Sequence, residues 1–165
     1  MAGFVQAGEW QLYSGYGFQM PPTDMLPKVK ATVMTKGMVI FRDTDNVWKI
    51  GTADVKAPTA IVHFAPPLQA DDDEGSGRVE AYMRDEFCYT VIAEDALEPF
   101  GYVKVAASGK VKKWVRGTDT DEECFGQYVQ RPNVTPPQNS GKATLTANVA
   151  DEVVGVIKGK RPGIA

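Results

Sequence analysis

The sequence predicts an all-β protein, an antiparallel β-barrel or sandwich built in part from two repeated halves, with an extended N-terminal arm. Three observations carry that expectation. Between residues 38 and 157, short runs rich in β-branched and aromatic residues are separated by Gly, Asp, Asn or Pro. One stretch, residues 101–132, has a weaker copy at residues 37–66. Residues 1–34 follow neither pattern.

The arm comes first in the chain. Phe4, Trp10, Tyr13, Tyr16 and Phe18 are interleaved with Gly3, Gly8, Gly15 and Gly17, and Pro21, Pro22 and Pro27 follow. The prolines break any helix. The segment is too aromatic for a solvated tail, which would be polar and charged. It reads as an extended arm, residues 1–34, whose aromatics dock on a surface and form the candidate partner-binding set. That surface is either the chain's own β domain, residues 35–165, or a neighbouring subunit.

The first half of the β domain, about residues 35–100, opens on a hairpin. Met38, Val39, Ile40 and Phe41 lead into the turn Asp43, Thr44, Asp45 and Asn46, and Val47, Trp48, Lys49 and Ile50 return. Residues 60–64 are the next strand, ended by Pro66 and Pro67. Asp71, Asp72, Asp73 and Glu74 then lie in a Gly/Ser loop. Their spacing does not match a calcium loop, which alternates its ligands and closes on a glutamate. Val79, Ala81 and Met83 alternate with polar neighbours, and residues 87–93 return as a further strand. Residues 93–97 are expected to form one helical turn before Pro99.

The second half, about residues 101–163, starts on Val103 and Val105 and turns at Ser108 and Gly109. Residues 111–115 return without strict alternation, which points to a bulge. Residues 126–130 are the next strand. Leu145, Ala147 and Val149 alternate with Thr144, Thr146 and Asn148, so a strand is expected there too. Residues 153–157 are the last strand, before a basic, glycine-containing tail. The halves align at offsets of 64 to 66 residues. Gly37, Val39 and Phe41 match Gly101, Val103 and Val105; Gly51-Thr52 matches Gly117-Thr118; Pro66 matches Pro132; Asp85-Glu86 matches Asp151-Glu152. Trp48 and Trp114 fall near equivalent places and read as shared core residues.

At 165 residues the chain can bury a core without disulfides or metal. A net charge of -3 with scattered lysines and arginines leaves no clustered basic face for nucleic acid. Lys110, Lys112 and Lys113 form the one tight basic group, placed to discourage edge-to-edge pairing. Cys88 and Cys124 are expected to be buried free thiols. The N-terminus has no signal-peptide pattern and no run is long enough to span a membrane, so folding in a reducing cytoplasm is expected. The Asn133 sequon is read as chance in that setting. The single histidine, His63, has no second ligand in pattern and reads as structural. No phosphate-binding or nucleophile motif occurs, and the carboxylates Asp119, Asp121, Glu122 and Glu123 sit in a polar loop. The expectation is a protein without catalytic residues, metal or cofactor.

The phrase Glu98-Pro99-Phe100-Gly101-Tyr102-Val103-Lys104-Val105-Ala106-Ala107-Ser108-Gly109-Lys110-Val111 resembles a hairpin of the small decoration, or cement, proteins of tailed-bacteriophage heads. Val153-Val154-Gly155-Val156-Ile157 is similar to their later Gly-containing strand. The similarity covers residues 98–158, with an echo in 35–93. The family's Asp after the first Gly is Tyr102 here, and Met38 in the first copy. The resemblance implies a β-tulip or β-barrel fold and a virion protein made in the host cytoplasm. It implies a subunit, trimeric on the shell, that binds the outside of an icosahedral capsid and bridges major capsid subunits. From another class comes a carbohydrate- or peptide-binding β module with Trp10, Trp48 and Trp114 as platforms. A head-tail or tail subunit is a further alternative.

Overall fold

A computed structural model describes residues 4–13, 20–29, 32–53, 55–56, 58–65, 77–138 and 143–163. The protein is all-β and antiparallel, with two sheets facing each other as in a sandwich. The six-stranded sheet contains β1 (Trp10–Gln11), β7 (Cys88–Ile92), β8 (Tyr102–Val105), β9 (Val111–Lys113), β10 (Cys124–Gln130) and β11 (Val153–Lys158). The five-stranded sheet contains β2 (Asp24–Pro27), β3 (Val39–Arg42), β4 (Trp48–Ile50), β5 (Thr59–Phe64) and β6 (Arg78–Tyr82).

The strand orders are the informative fact. One sheet runs β2-β6-β5-β3-β4 and the other β1-β7-β11-β10-β8-β9. Remove β1 and the two orders are the same when β2 to β6 are set against β7 to β11. The likeness extends to how the sheets curl. A parallel bridge ties Lys28, directly after β2, to Trp48 in β4, and another ties Ala93, directly after β7, to Val111 in β9. Each five-strand unit therefore bends until its first and third strands touch at one point. Neither closes into a barrel through a continuous ladder.

This topological repeat is out of phase with the match in the sequence. The hairpins and the strands that follow them correspond, β3, β4 and β5 with β8, β9 and β10, but Gly37 falls opposite Phe100 rather than Gly101, and Trp48 opposite Val111 rather than Trp114. The partner of β11, however, is β6 rather than β7, because 13 residues separate β5 from β6 and 22 separate β10 from β11. The strand expected around residues 144–149 does not form. Hydrogen bonds to distant residues hold the stretch instead. Tyr128 Oη donates to the Thr146 carbonyl at 2.8 Å, and Asn148 accepts from the Leu97 N–H at 2.8 Å while donating to the Asp95 carbonyl at 3.1 Å. Arg131 pairs with Glu152 at 3.0 Å and donates to Thr146 Oγ1 at 2.9 Å. A stretch held this way keeps its place without a ladder. Nor do residues 93–97 form a helical turn; Ala93 is the bridging residue.

The N-terminal segment also differs from a continuous extended arm, since it contributes both β1 and β2. β2 pairs with β6 from Asp24↔Ala81 to Pro27↔Arg78. Pro27 is tolerated because it ends an edge strand and withholds no central ladder bond.

The main core lies between the sheets. Val39 and Ile61 from one sheet meet Tyr89, Val91, Val103, Tyr128, Val154 and Val156 from the other. The alternate residues Ile40, Ala60 and Val62 point the opposite way, into a second core inside the curl of β2–β6, with Leu26, Trp48 and Val79. The period of two thus buries both faces of β3 and β5. Where the units touch, Gly109 in the β8–β9 turn donates to the Gly51 carbonyl at 3.0 Å. A Cβ at either glycine would collide with the Val39 carbonyl, so the approach requires glycine.

Candidate functional site: the N-terminal strap and the matched turns

Residues 4–13 form a strap laid across the junction of the two units. From unit two, the Asn133 side chain accepts from the Val5 N–H at 2.6 Å and donates to the Val5 carbonyl at 2.8 Å. Thr90 Oγ1 donates to the Gln6 carbonyl at 2.6 Å and accepts from the Glu9 N–H at 2.9 Å. Gly8 N–H donates to the Thr90 carbonyl at 2.7 Å, and Gln130 Nε2 donates to the Leu12 carbonyl at 3.1 Å. β1 then pairs with β7 at Trp10↔Tyr89 and Gln11↔Cys88. From unit one, His63 Nδ1 lies 3.0 Å from the Gly8 carbonyl, which can only accept, so that nitrogen carries the proton. The His63 ring also packs on Tyr82 at 4.9 Å, and Lys36 pairs with Glu9. His63 is structural, as its isolation in the sequence suggests. Most of these bonds reach the strap's backbone, so they fix its path.

Of the five aromatics expected to meet a partner, Trp10 packs against the main core and Tyr13 covers a small cluster of Cys88, Val129 and Ile157. Phe4 is 86% exposed, next to the clamped Val5. Tyr16 and Phe18 lie outside the described residues. The strap therefore docks on its own chain through two of its aromatics and displays a third.

Two turns in equivalent positions show what the strap does. In unit one, residues 35–38 close through Met38 N–H to the Thr35 carbonyl at 3.2 Å, with Gly37 at φ 90°. In unit two, residues 98–101 close through Gly101 N–H to the Glu98 carbonyl at 2.9 Å, with Phe100 at φ 58°. Each turn delivers the chain into its unit's second strand. Each is followed by the same bond from the fourth strand, Val62 N–H to Met38 and Tyr128 N–H to Gly101, both 2.9 Å. The positive-φ position favours glycine. Unit one complies, and Ala7 of the strap sits so close over Gly37 that a Cβ there would collide with it. Unit two places a phenylalanine in the same conformation, 48% exposed.

Beside Phe100 in the chain, Gly101 and Tyr102 line a cavity of about 220 Å³ together with Leu97, Glu98, Lys113, Trp114 and Arg116. The Tyr102 and Trp114 rings stand edge to face at 6.1 Å. Trp114 turns its Nε1 inward, to the Thr120 carbonyl at 2.8 Å. A larger cleft of about 360 Å³ lies at the unit junction, among Lys56, Asp85, Glu122, Cys124, Lys158 and Arg161. Its charges are partly matched within the chain: Lys158 pairs with Asp85 and donates to the Met83 carbonyl at 2.8 Å. Burial pushes the Cys124 thiol up to about 11, so it is no nucleophile at neutral pH. Burial raises Cys88 as well, and both thiols are free.

The loop carboxylates divide by role. Glu123 caps its own 3-10 turn, accepting from the Thr120 N–H at 2.6 Å. Asp119 accepts from Lys104 Nζ and from the Val115 N–H, both 2.7 Å. Burial alone would raise its pKa, but the Lys104 and Val115 hydrogen bonds outweigh that and hold it below the usual carboxylate range. Among the described residues no group of three or more His, Cys, Asp or Glu gathers as a metal site. No described helix is long and apolar enough to cross a membrane. Trp48 and Trp114 are 2% and 6% exposed, so neither ring stands open as a platform; Trp114 meets only the small cavity beside Tyr102. The sequence pointed to the strap but not to the 98–101 turn as a candidate site. The sequence carried no signal for it, because the sequence match sets Phe100 opposite Lys36, and only the structural register sets it opposite Gly37. The chain matches no protein-family model and no curated protein.

Proposed function

We propose that this protein is a structural virion component that binds the outer surface of an icosahedral phage capsid and stabilises the shell by bridging major capsid subunits. Its partner is the major capsid protein, and on the shell it stands as a trimer. The resemblance of residues 98–158 to decoration proteins motivates the reading. The observation that carries it is the display of apolar side chains on held backbone. Phe4 projects from a strap clamped at Val5, and Phe100 from a hydrogen-bonded turn. Exposed apolar groups that do not collapse onto their own chain mark surfaces for another protein.

The stabilisation follows from mass action: a subunit that binds only the assembled shell shifts the assembly equilibrium at every site it fills. The test uses shells assembled from the major capsid protein encoded nearest to this chain. Co-sedimentation of the purified protein with those shells, and a higher shell melting temperature, are the expected results. Failure to co-sediment at saturating protein would overturn the assignment. The sugar-binding alternative needs an indole face open to solvent. The burial of Trp48 and Trp114 and the packing of Trp10 weigh against it.

A further inference from the structure

We propose that the cavity lined by Glu98 and Gly101 of the 98–101 turn is a recognition site for the terminal carboxylate of a peptide ending in an apolar residue. This goes beyond the capsid reading and does not depend on it. Three observations point there independently. The first is conformational. Among the described residues, five other than glycine have positive φ: Asn46, Glu86, Phe100, Ser108 and Asp151. Asn, Asp and Ser can hydrogen-bond locally in that region, whereas a bulky aromatic there is an outlier. The equivalent turn in unit one shows that glycine suits the position. Strain retained at a turn that could relieve it by a single substitution is a mark of function.

The second is the shape and lining of the cavity. The Tyr102 and Trp114 rings and Leu97 give apolar walls, and the volume of about 220 Å³ suits one residue's side chain rather than a cofactor. The third is charge. Arg116 and Lys113 both line the cavity, against the single carboxylate of Glu98. Arg116 spends one guanidinium nitrogen on the Gly163 carbonyl at a long 3.4 Å, leaving its other donors available. Lys113 holds Glu98 at 2.9 Å in a pair open to solvent, which costs little to rearrange. Asp119, bridged to Arg116 through the backbone, has its carboxylate taken by Lys104 and the Val115 N–H. The cavity thus presents a net positive rim over an apolar floor in a chain of net charge -3. A carboxylate on an apolar stem matches both features, and the Arg fork suits it.

The test uses full-length protein and N-acetyl-glycyl-leucine, as the free acid and as the C-terminal amide. Binding is followed by the indole N–H signal of Trp114, assigned with the Trp114→Phe variant. The acid should shift that signal saturably, and the amide should bind about tenfold more weakly or worse, as expected for losing a charge-assisted contact. Arg116→Gln should lose a similar factor with unchanged thermal unfolding. Phe100→Gly should weaken binding while the melting temperature holds or rises, a combination that a purely structural phenylalanine would not give. Equal binding of acid and amide, wild-type affinity in Arg116→Gln, or no shift at millimolar acid would each overturn the proposal. A free apolar acid such as 3-phenylpropionate, binding as well as the dipeptide, would overturn the peptide assignment.

Discussion

The turns at residues 35–38 and 98–101 are the same structural device put to opposite uses. Both sit before the second strand of a five-strand unit, and both need a residue at positive φ. In unit one that residue is Gly37, and the strap passes over it with Ala7 in contact range of where a Cβ would be. In unit two it is Phe100, no strap residue is described over it, and the side chain stands out from the surface. Two copies of one topology, one covered and one displaying an aromatic, show how a repeat divides labour. The first unit gives its turn to internal assembly and the second keeps its turn outward.

That contrast can be broken at several points. The largest effect is expected from deleting residues 1–12. The loss removes β1 and the bonds to Thr90, Asn133 and His63, and bares the contact between units. A cost of about 4 kcal/mol is expected, lowering the melting temperature by about 10 °C. Calorimetry of the truncated chain measures it, and an unchanged melting temperature would show that the strap is ornamental to stability.

Next comes the Lys104–Asp119 pair, which fastens the β8–β9 side of unit two and has no counterpart described in unit one. Lys104→Met leaves the Asp119 carboxylate with the Val115 N–H and the charge of Lys112, at an expected cost of about 2 kcal/mol. The pH dependence has a definite sign. Asp119 is held below its ordinary range when folded, so its contribution is present at neutral pH and fades as the pH falls through the folded-state value. Acid unfolding of the wild type should therefore be steeper than that of Lys104→Met; parallel acid limbs in urea titrations would contradict this.

A smaller effect belongs to Asn133. Asn133→Ala removes both bonds to Val5 and should cost about 1–2 kcal/mol. The loss should be local, so amide exchange should quicken at Val5 and Ala7 while the β7–β11 ladder stays protected. Uniform acceleration across both sheets would mean that the strap and the body unfold as one.

Much of this fold was legible in the sequence, and particular residues explain what was not. The β3–β4 and β8–β9 hairpins, and the strands β5 and β10 after them, follow from alternation and turn chemistry, and they form where expected. β2 was hidden because Pro21, Pro22 and Pro27 read as breakers, although proline is compatible with the end of an edge strand. Residues 143–149 alternate as a strand would, but Arg131 and Tyr128 bond to Thr146 and the stretch's own Asn148 reaches Leu97 and Asp95, contacts that a local pattern cannot report. The phase of the repeat was misread for a related reason. Asp85-Glu86 and Asp151-Glu152 look alike, but one pair leads into the first strand of unit two, β7, and the other into the last strand of the same unit, β11. Similar composition at central strands says nothing about order in the sheet. For the candidate site, the strap's aromatics were visible as a class, while their division into partly buried Trp10 and Tyr13 and exposed Phe4 depends on long-range contacts.

The most direct test exchanges the two turn residues and compares thermal unfolding of Gly37→Phe with that of Phe100→Gly. Gly37→Phe must displace Ala7 and adopt a strained φ, at an expected cost of about 3 kcal/mol. Phe100→Gly relieves strain and gives up a side chain already half in solvent, so its stability should stay within about 1 kcal/mol of wild type or rise. Opposite responses of that size are expected if one turn seats the strap and the other faces a partner. Equal destabilisation by both substitutions would contradict it, because Phe100 would then be as structural as Gly37.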